Sequence, residues 1–212
     1  MATKRPTRRK ADPESLVLRA ASQQGQFILS TAIELFAEKG YSAASMDDLC
    51  ERTGLNKGTI YYYYQSKAVI LYHIACRNVS NALDLVLSLP SGKSAAERMN
   101  ELAVTYIGWL IENSKATKVL TQEFPYLPEL LSSSQLEDLH AKQRAFHKHL
   151  KSIVLNGIEQ EEFVTENAEI ATRSVTALLH SALDLGSAGF PPNDIARVLS
   201  ALAMNALRGS VK

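Results

Sequence analysis

The stretch "SMDDLCERTGLNKGTIYYYYQSK", residues 45–67, decides the fold. Ser45 is a good helix cap, and Gly54 suits the end of the short helix that Ser45 begins. Only two residues later Asn56 caps a second helix, which runs through four consecutive tyrosines to about Gln65. Two short helices joined by a tight, glycine-containing turn predict a helix-turn-helix, whose second helix enters the DNA major groove.

The tyrosine run cannot face one core, because successive side chains on a helix turn by about 100°. We take Ile60 and Tyr64, four residues apart, as the buried pair of the second helix. The exposed side then consists of Gly58, Thr59 and Tyr62 opposite that pair, with Tyr61 and Tyr63 on the flanks.

This exposed side suits DNA, because it offers glycine, hydroxyl and phenol groups and no carboxylate. Lys57 and Lys67 add cations at its two ends. Backbone N–H groups at the helix starts after Ser45 and Ser66 add phosphate donors. The alternative, in which the tyrosines pack against the C-terminal body, is our preferred interpretation for Tyr64 alone.

Helical periodicity dominates the whole chain, and no segment alternates as a strand would, so the sequence predicts an all-α fold. The predicted helices cover residues 26–39, 45–54, 56–65, 66–89, 94–113, 116–123, 135–160, 168–185 and 193–207, with a proline-kinked segment at 124–134.

The composition is that of a packed protein: 46% of the 212 residues are hydrophobic. No apolar run approaches the roughly 18 residues of a membrane span, so we expect a soluble, cytoplasmic protein with no membrane partner. Cys50 and Cys76 have no partner at a metal-like or disulfide-like spacing, and we expect both to be small buried hydrophobes.

The net charge of +1 hides an asymmetry, because residues 1–80 carry +4 and residues 81–212 carry −3. Five Lys or Arg residues lie within the first ten positions. Such a segment is either an arm attracted to polyanions or a solubilising tail, and the sequence leaves both interpretations open.

The block from Ile28 to Ile74 resembles the N-terminal domain of the TetR/AcrR family of bacterial transcriptional regulators. The matching residues are Ala32, Leu35, Phe36, Gly40, Ser45, Leu49, Gly54, Leu55, Lys57, Gly58, Thr59, Ile60, Tyr61, Tyr64 and Lys67. The chain departs from the family pattern at Cys50, where alanine is usual, at Tyr63, where histidine is frequent, and at Tyr64, where phenylalanine is usual.

The resemblance implies an all-helical homodimer that binds double-stranded operator DNA with palindromic sequence and is released by a small-molecule effector. It implies a three-helix helix-turn-helix DNA-binding domain at 24–70 and a helical effector-binding and dimerisation domain at 71–212. The basic, disordered arm that the composition indicates at 1–23 is longer than this fold requires, and the arm can reach the minor groove or flanking phosphates. The DNA-facing set it implies is Ser45, Lys57, Gly58, Thr59, Tyr61, Tyr62, Tyr63 and Lys67.

The helix predicted at 135–160 has an apolar stripe with polar side chains on or beside it. One interpretation is an effector pocket, formed by Tyr106, Trp109, Phe124, Tyr126, His140, Gln143 and His147. The alternative is that the histidines are ordinary core side chains whose ring N–H groups donate to backbone carbonyls. For each histidine taken singly, this alternative is favoured. His149 points away from His147, so we expect no metal and no cofactor.

The last two long helices are apolar on more than one face, which predicts a homodimer interface between them and their symmetry mates. The segment "TKVLTQEFPYLPELL", followed by a long helix, resembles the body of family members that sense coenzyme A thioesters.

Two other functions are alternatives to an effector-controlled regulator. The first is a DNA-binding protein of this fold without an effector, regulated by a protein partner or acting in chromosome organisation. The second, an enzyme, is disfavoured because the sequence has no nucleophile elbow and no phosphate-binding glycine loop.

Overall fold

A computed structural model describes residues 19–209, in which the regular elements are helices and no strand occurs. The helices are α1 Gln23–Lys39, α2 Met46–Thr53, α3 Lys57–Tyr63, α4 Lys67–Leu87, α5 Ala95–Glu112, α6 Ser114–Glu123, α7 Leu127–Leu130, α8 Ser133–Glu159, α9 Ala168–His180, α10 Ala182–Ser187 and α11 Pro192–Arg208, with a 3₁₀ turn at Phe124–Tyr126 between α6 and α7. The all-α prediction is confirmed. The chain divides into two compact units, one ending at Leu71 and the other beginning at Tyr72.

The first unit is built on α1, which packs against α2, while α2 packs against α3. Ile28, Ala32 and Phe36 on α1 have almost no exposed surface. Ile60 and Tyr64 are fully buried as well, so the predicted buried pair is confirmed. The Tyr64 hydroxyl donates to the Gly25 carbonyl at 3.0 Å, which gives this buried phenol the partner that a buried hydroxyl needs.

Local signals set the ends of α2 and α3. Ser45 and Asp48 form a complete capping box at the start of α2, and Gly54 ends that helix in the left-handed conformation, at a φ of 69°. The Asn56 side chain caps α3. The prediction carried α3 to about Gln65, but the helix ends at Tyr63, because Tyr64 has an extended backbone.

The second unit is a helical bundle in which α5 packs against α8, α9 and α11. Its core includes Leu102 and Ile107 of α5, Ile153 of α8 and Leu207 of α11, all essentially inaccessible to solvent. The single helix predicted at 168–185 is instead two helices that meet at Ser181. The Ser181 N–H is shared between the carbonyls of Ala177 and Leu178, and this mixed spacing interrupts the regular α-helical pattern.

The cysteine prediction is wrong in one respect, because both thiols are only partly buried. Cys76 lies 3.5 Å from the Asp138 carboxylate, to which Tyr72 also donates at 2.7 Å. Burial raises the pKa of the Cys76 thiol to about 11, so the thiol stays protonated at neutral pH.

Two further expectations concern the membrane and the arm. No helix within residues 19–209 is both long and apolar enough to cross a membrane. Most of the predicted basic arm, residues 1–18, lies outside the described residues.

Candidate functional site

The residues predicted to face DNA all retain solvent-accessible surface. Ser45, Lys57, Gly58 and Tyr62 are exposed, and Thr59, Tyr61, Tyr63 and Lys67 are half-buried. Tyr62 is the most prominent of the aromatic side chains on α3, with 51% of its surface exposed. The structure therefore exposes Gly58 and Tyr62 on one side of α3 and Lys57 at its start.

The first turn of α3 is tied to its surroundings by polar contacts. Asn56 Oδ1 accepts hydrogen bonds from the Thr59 backbone N–H at 2.8 Å and from the Thr59 hydroxyl at 3.1 Å. The Thr59 hydroxyl therefore has its proton engaged and can still accept a hydrogen bond from a base or water.

Lys57 has a carboxylate neighbour that the pattern of α3 alone did not indicate. Its ammonium lies 2.7 Å from Asp47 Oδ1 on α2, and this hydrogen bond raises the pKa of Lys57. Both side chains are largely exposed, so the pair is weak and can open when a phosphate competes for the lysine.

Lys67 has a structural role that the sequence did not reveal. Its ammonium donates to the carbonyls of Tyr41 at 2.6 Å, Ala44 at 2.7 Å and Ser42 at 3.3 Å. These three contacts use the three donors of a lysine. The simple prediction of a phosphate-binding cation is thus incomplete, because Lys67 also holds the connection between α1 and α2.

Arg19 is a neighbour of α3 that sequence reasoning missed, since it fell within the segment predicted to be a disordered arm. Its guanidinium lies 3.9 Å from the centre of the Tyr62 ring, and Nη1 lies 3.4 Å from the Tyr62 carbonyl oxygen. Tyr62 also packs edge-to-face with Tyr63, at 5.2 Å between ring centres. Arg19 and Tyr62 are 43 residues apart, so no local sequence pattern indicates their contact.

The second unit contains a cavity of about 440 Å³ with a mostly apolar lining. It is enclosed by residues of α4 to α9 and of the 3₁₀ turn. Three residues predicted for an effector pocket, Tyr106, Phe124 and Gln143, are brought together in its wall. Thr117, Phe146 and His180 also line it and were not predicted.

The polar centre of this wall is a tyrosine–histidine pair. The Tyr106 hydroxyl lies 2.7 Å from His180 Nε2, and the Tyr106 ring stacks on Phe146 with 5.8 Å between centres. Burial raises the pKa of Tyr106 and lowers the pKa of His180. Both groups are therefore neutral at neutral pH, and the cavity has no charge at this point.

Four residues of the predicted effector set do not line the cavity. Trp109 stacks on Tyr106, with 5.6 Å between ring centres, and Tyr126 has 56% of its surface exposed. His140 and His147 line a separate groove on the outer surface of the second unit. Gln143 borders both the cavity and this groove.

Helix geometry explains the division on α8. Leu139 and Phe146 lie about 40° and 60° to one side of Gln143 and line the cavity. His140 and His147 lie about 60° and 40° to the other side, which moves them to the outer groove. The sequence thus identified the side of α8 that borders the cavity. It did not show how far around the helix, from Gln143, the cavity wall extends.

The outer groove is basic. Besides the two histidines and Gln143 it is lined by Arg144, Lys148, Lys151, Glu169 and Arg173. Hydrogen bonds from His147, Lys151 and Arg173 lower the pKa of Glu169 to about 2, so this carboxylate is ionised at neutral pH. The lining thus carries four permanent cations and one carboxylate, and one of these cations, Arg144, pairs with Glu137, which is not a lining residue. Within residues 19–209 no group of three His, Cys, Asp or Glu side chains could hold a metal ion.

The two units match two family descriptions. The description "Bacterial regulatory proteins, tetR family" matches residues 28–74, and "Tetracyclin repressor-like, C-terminal domain" matches residues 92–184. These segments cover the helix-turn-helix and most of the helices that surround the cavity.

Individual proteins of known family are similar to this chain over most of its length. An uncharacterized HTH-type transcriptional regulator of Bacillus subtilis, YvdT, is 24% identical over 169 residues, covering 79% of this chain and 84% of YvdT. The crystal structure of the TetR family transcriptional regulator PfmR from Thermus thermophilus superposes with a TM-score of 0.75 at 25% identity, over 87% of this chain and 99% of PfmR. FadR from Bacillus subtilis, solved in complex with stearoyl-CoA, has a TM-score of 0.69 at 16% identity, over 86% of this chain and 98% of FadR.

Both parts of the family pattern are present on one chain: a helix-turn-helix unit and a helical body of the matching type. The protein therefore belongs to the TetR family of bacterial regulatory proteins and is a DNA-binding transcriptional regulator.

Proposed function

We propose that this regulator is a repressor that binds a palindromic operator as a homodimer in the cytoplasm and leaves it when an amphipathic effector binds the second unit. The observation that carries the effector is the apolar cavity of about 440 Å³, which shares Gln143 with the basic groove. This cavity favours an effector over the alternative, a regulator without one that is controlled by a protein partner or acts in chromosome organisation.

The cavity suits an apolar chain or ring system. Apolar clefts of this size with a few convergent polar groups are typical of small-molecule sites. Here the polar groups are the Tyr106–His180 pair, Gln143 and Thr117, whose hydroxyl accepts a hydrogen bond from Asn78 at 3.2 Å. Because none of these groups carries a charge at neutral pH, the cavity favours the uncharged part of a ligand.

The groove suits an anionic head. Arg144, Lys148, Lys151 and Arg173 outnumber the single carboxylate of Glu169, and Lys148 is exposed. Since Gln143 borders both spaces, a single molecule with an apolar tail and a phosphorylated head can reach both. A fatty-acyl coenzyme A thioester has this chemistry, and the similarly folded FadR was solved with stearoyl-CoA.

The release step is proposed to run along α4. Ala75, Asn78 and Val79 on this helix line the cavity, while Lys67 lies in its first turn, about three turns away. A ligand that displaces α4 would disturb the hydrogen bonds from Lys67 to the backbone of Tyr41 and Ala44. The connection before α2 would then move, and the recognition helix with it.

The proposed DNA contacts are the eight residues that the sequence predicts to face DNA. Gly58, Thr59 and Tyr62 of α3 are proposed to meet the major groove, with Tyr61 and Tyr63 on its flanks. Ser45, Lys57 and Lys67 are proposed to lie beside the phosphates.

The homodimer is proposed to form through α9 and α11. Exposed apolar side chains on these helices include Ile170 on α9 and Val198 and Leu202, one turn apart, on α11. Burying them against a second copy would place two recognition helices on the half-sites of a palindrome, about 34 Å apart.

One experiment tests the effector. A duplex selected by the full-length protein from random DNA is labelled, and its release is followed by fluorescence anisotropy with palmitoyl-CoA, palmitate or coenzyme A added. We expect the thioester to release DNA at concentrations at which coenzyme A does not, and to raise the melting temperature of the protein. If acyl-CoA thioesters, steroids and aromatic acids all leave both readings unchanged, the effector proposal is wrong while DNA binding stands.

A further inference from the structure

We propose that Arg19, which precedes the helix-turn-helix, is part of the DNA-contacting surface. Its guanidinium fixes the orientation of the Tyr62 ring and carries N–H donors to a DNA phosphate beside the base pair that Tyr62 meets. This inference rests on the DNA binding of the family and on the proposed outward role of Tyr62, and it is independent of any effector.

The contact between the two side chains has two parts. The guanidinium stacks 3.9 Å from the centre of the Tyr62 ring, and Nη1 lies 3.4 Å from the carbonyl oxygen of the same residue. Tyr62 meets the Tyr63 ring edge-to-face as well, yet half of its surface stays exposed. A half-exposed phenol on a seven-residue helix therefore has its ring orientation defined by Arg19 and Tyr63.

The backbone of Arg19 is itself held in place. The Ser22 hydroxyl donates to the Arg19 carbonyl at 2.6 Å, and the Gln26 side chain donates to the Ala20 carbonyl at 2.8 Å. At Gly25 a Cβ atom would lie only 2.4 Å from the Arg19 carbonyl oxygen, so this close approach requires glycine. The Arg19 side chain is thus presented from a packed segment.

The charge of Arg19 is available to a phosphate. Within residues 19–209 it has no carboxylate partner, whereas Lys39, Arg52 and Lys57 each form an ion pair. A guanidinium has five N–H donors in one plane, and stacking on a ring leaves the edges of that plane accessible. Arg19 can therefore hold Tyr62 and a phosphate together, and phosphate contacts of this kind set the register of a protein on DNA.

The test compares variants of the full-length protein on the selected duplex at several salt concentrations. We expect Arg19→Ala to weaken binding at least about fivefold and to lower the slope of log affinity against log salt by about one. Arg19→Lys keeps the positive charge, so its salt slope should equal that of the wild type. It should nevertheless change the base preference, as Tyr62→Leu does, because lysine does not hold the Tyr62 ring in the same way. In the Tyr62→Leu background, Arg19→Ala should cost less than in the wild type, because the two residues act together.

Arg52→Ala is the matched control, since it removes one arginine from the same unit. It should show no coupling to Tyr62 in the same double-variant comparison. Circular dichroism melting separates a folding defect from a lost contact. Two results together would overturn the proposal: Arg19→Ala leaves the salt slope unchanged, and its effect on affinity adds strictly to that of Tyr62→Leu. This holds whether or not the melting temperature of the variant falls.

Discussion

The Lys67 ammonium donates to the Tyr41 carbonyl at 2.6 Å and lies 4.4 Å from the centre of the Tyr41 ring. One lysine thus binds both the backbone and the aromatic face of a residue 26 positions earlier. Replacing Lys67 by methionine keeps the alkyl stem but removes the ammonium, so at least two partly buried carbonyls lose a charged donor. We expect the free energy of unfolding to fall by about 1–3 kcal/mol, measured by urea denaturation.

Lys57→Met provides the comparison, because the Lys57–Asp47 pair is largely exposed and should contribute little to stability. Both variants should weaken DNA binding. If Lys67→Met weakens it with stability unchanged, Lys67 acts on phosphate alone and its backbone contacts contribute nothing measurable.

Asp47→Asn should strengthen DNA binding. The substitution releases the Lys57 ammonium from its carboxylate and removes a negative charge beside the recognition helix. Because an exposed ion pair is weak, the gain in affinity should be at most about fivefold at low salt. It should shrink as salt is added. Glu51→Gln removes an exposed carboxylate elsewhere on α2 and should have a smaller effect; equal gains would mean that net charge alone is responsible.

Tyr64→Phe should destabilise the first unit even though phenylalanine is usual at this position in the family. The variant removes the buried hydrogen bond from the Tyr64 hydroxyl to the Gly25 carbonyl. A loss of about 1 kcal/mol in unfolding free energy is expected, again by urea denaturation. Tyr61→Phe, on a half-buried side chain, should leave stability nearly unchanged, and an equal loss in both variants would contradict the argument.

Ala75→Met should block the effector and spare DNA binding. Ala75 is buried in the cavity wall on α4, and a flexible methionine can occupy part of the empty volume. We expect the variant to hold the operator duplex as the wild type does but to resist release by palmitoyl-CoA. Ala141→Met, on the exposed side of α8, is the control and should respond normally. A normal response of Ala75→Met would show that the ligand binds elsewhere.

His180 should make the protein less stable in mild acid. Burial lowers the pKa of His180 below its ordinary value of 6.5, so the unfolded chain takes up a proton at a higher pH than the folded one. The contribution of neutral His180 to the free energy of unfolding is therefore fully present above pH 6.5. It is lost as the pH falls toward and through the pKa of His180 in the folded protein. His180→Gln should show a smaller fall in melting temperature between pH 7 and pH 5 than the wild type. His149→Gln, on an exposed side chain, should keep the wild-type pH dependence; if His180→Gln keeps it too, the neutral His180 is not responsible.

The sequence by itself determined the elements of the first unit, because the signals that define them are local. Ser45, Gly54 and Asn56 set the ends of two helices through contacts within three or four residues, and the 100° rotation per residue separated Ile60 and Tyr64 from the outward side chains. One of its two interpretations of the second unit also grouped Tyr106, Phe124 and Gln143, which do line one cavity. Gln143 lies on or beside the apolar stripe of one helix, Tyr106 is an aromatic residue on another, and Phe124 lies in the proline-bounded segment.

The tertiary structure alone decided which partners distant residues meet. Arg19 reaches Tyr62 across 43 positions, and Lys67 reaches Tyr41 across 26. Likewise, His140 and His147 are separated from the cavity by only about 40–60° of rotation from Gln143, an angle that depends on how α8 packs. Periodicity fixes the direction of a side chain relative to its own helix, but the packing of one helix against another fixes what that side chain touches.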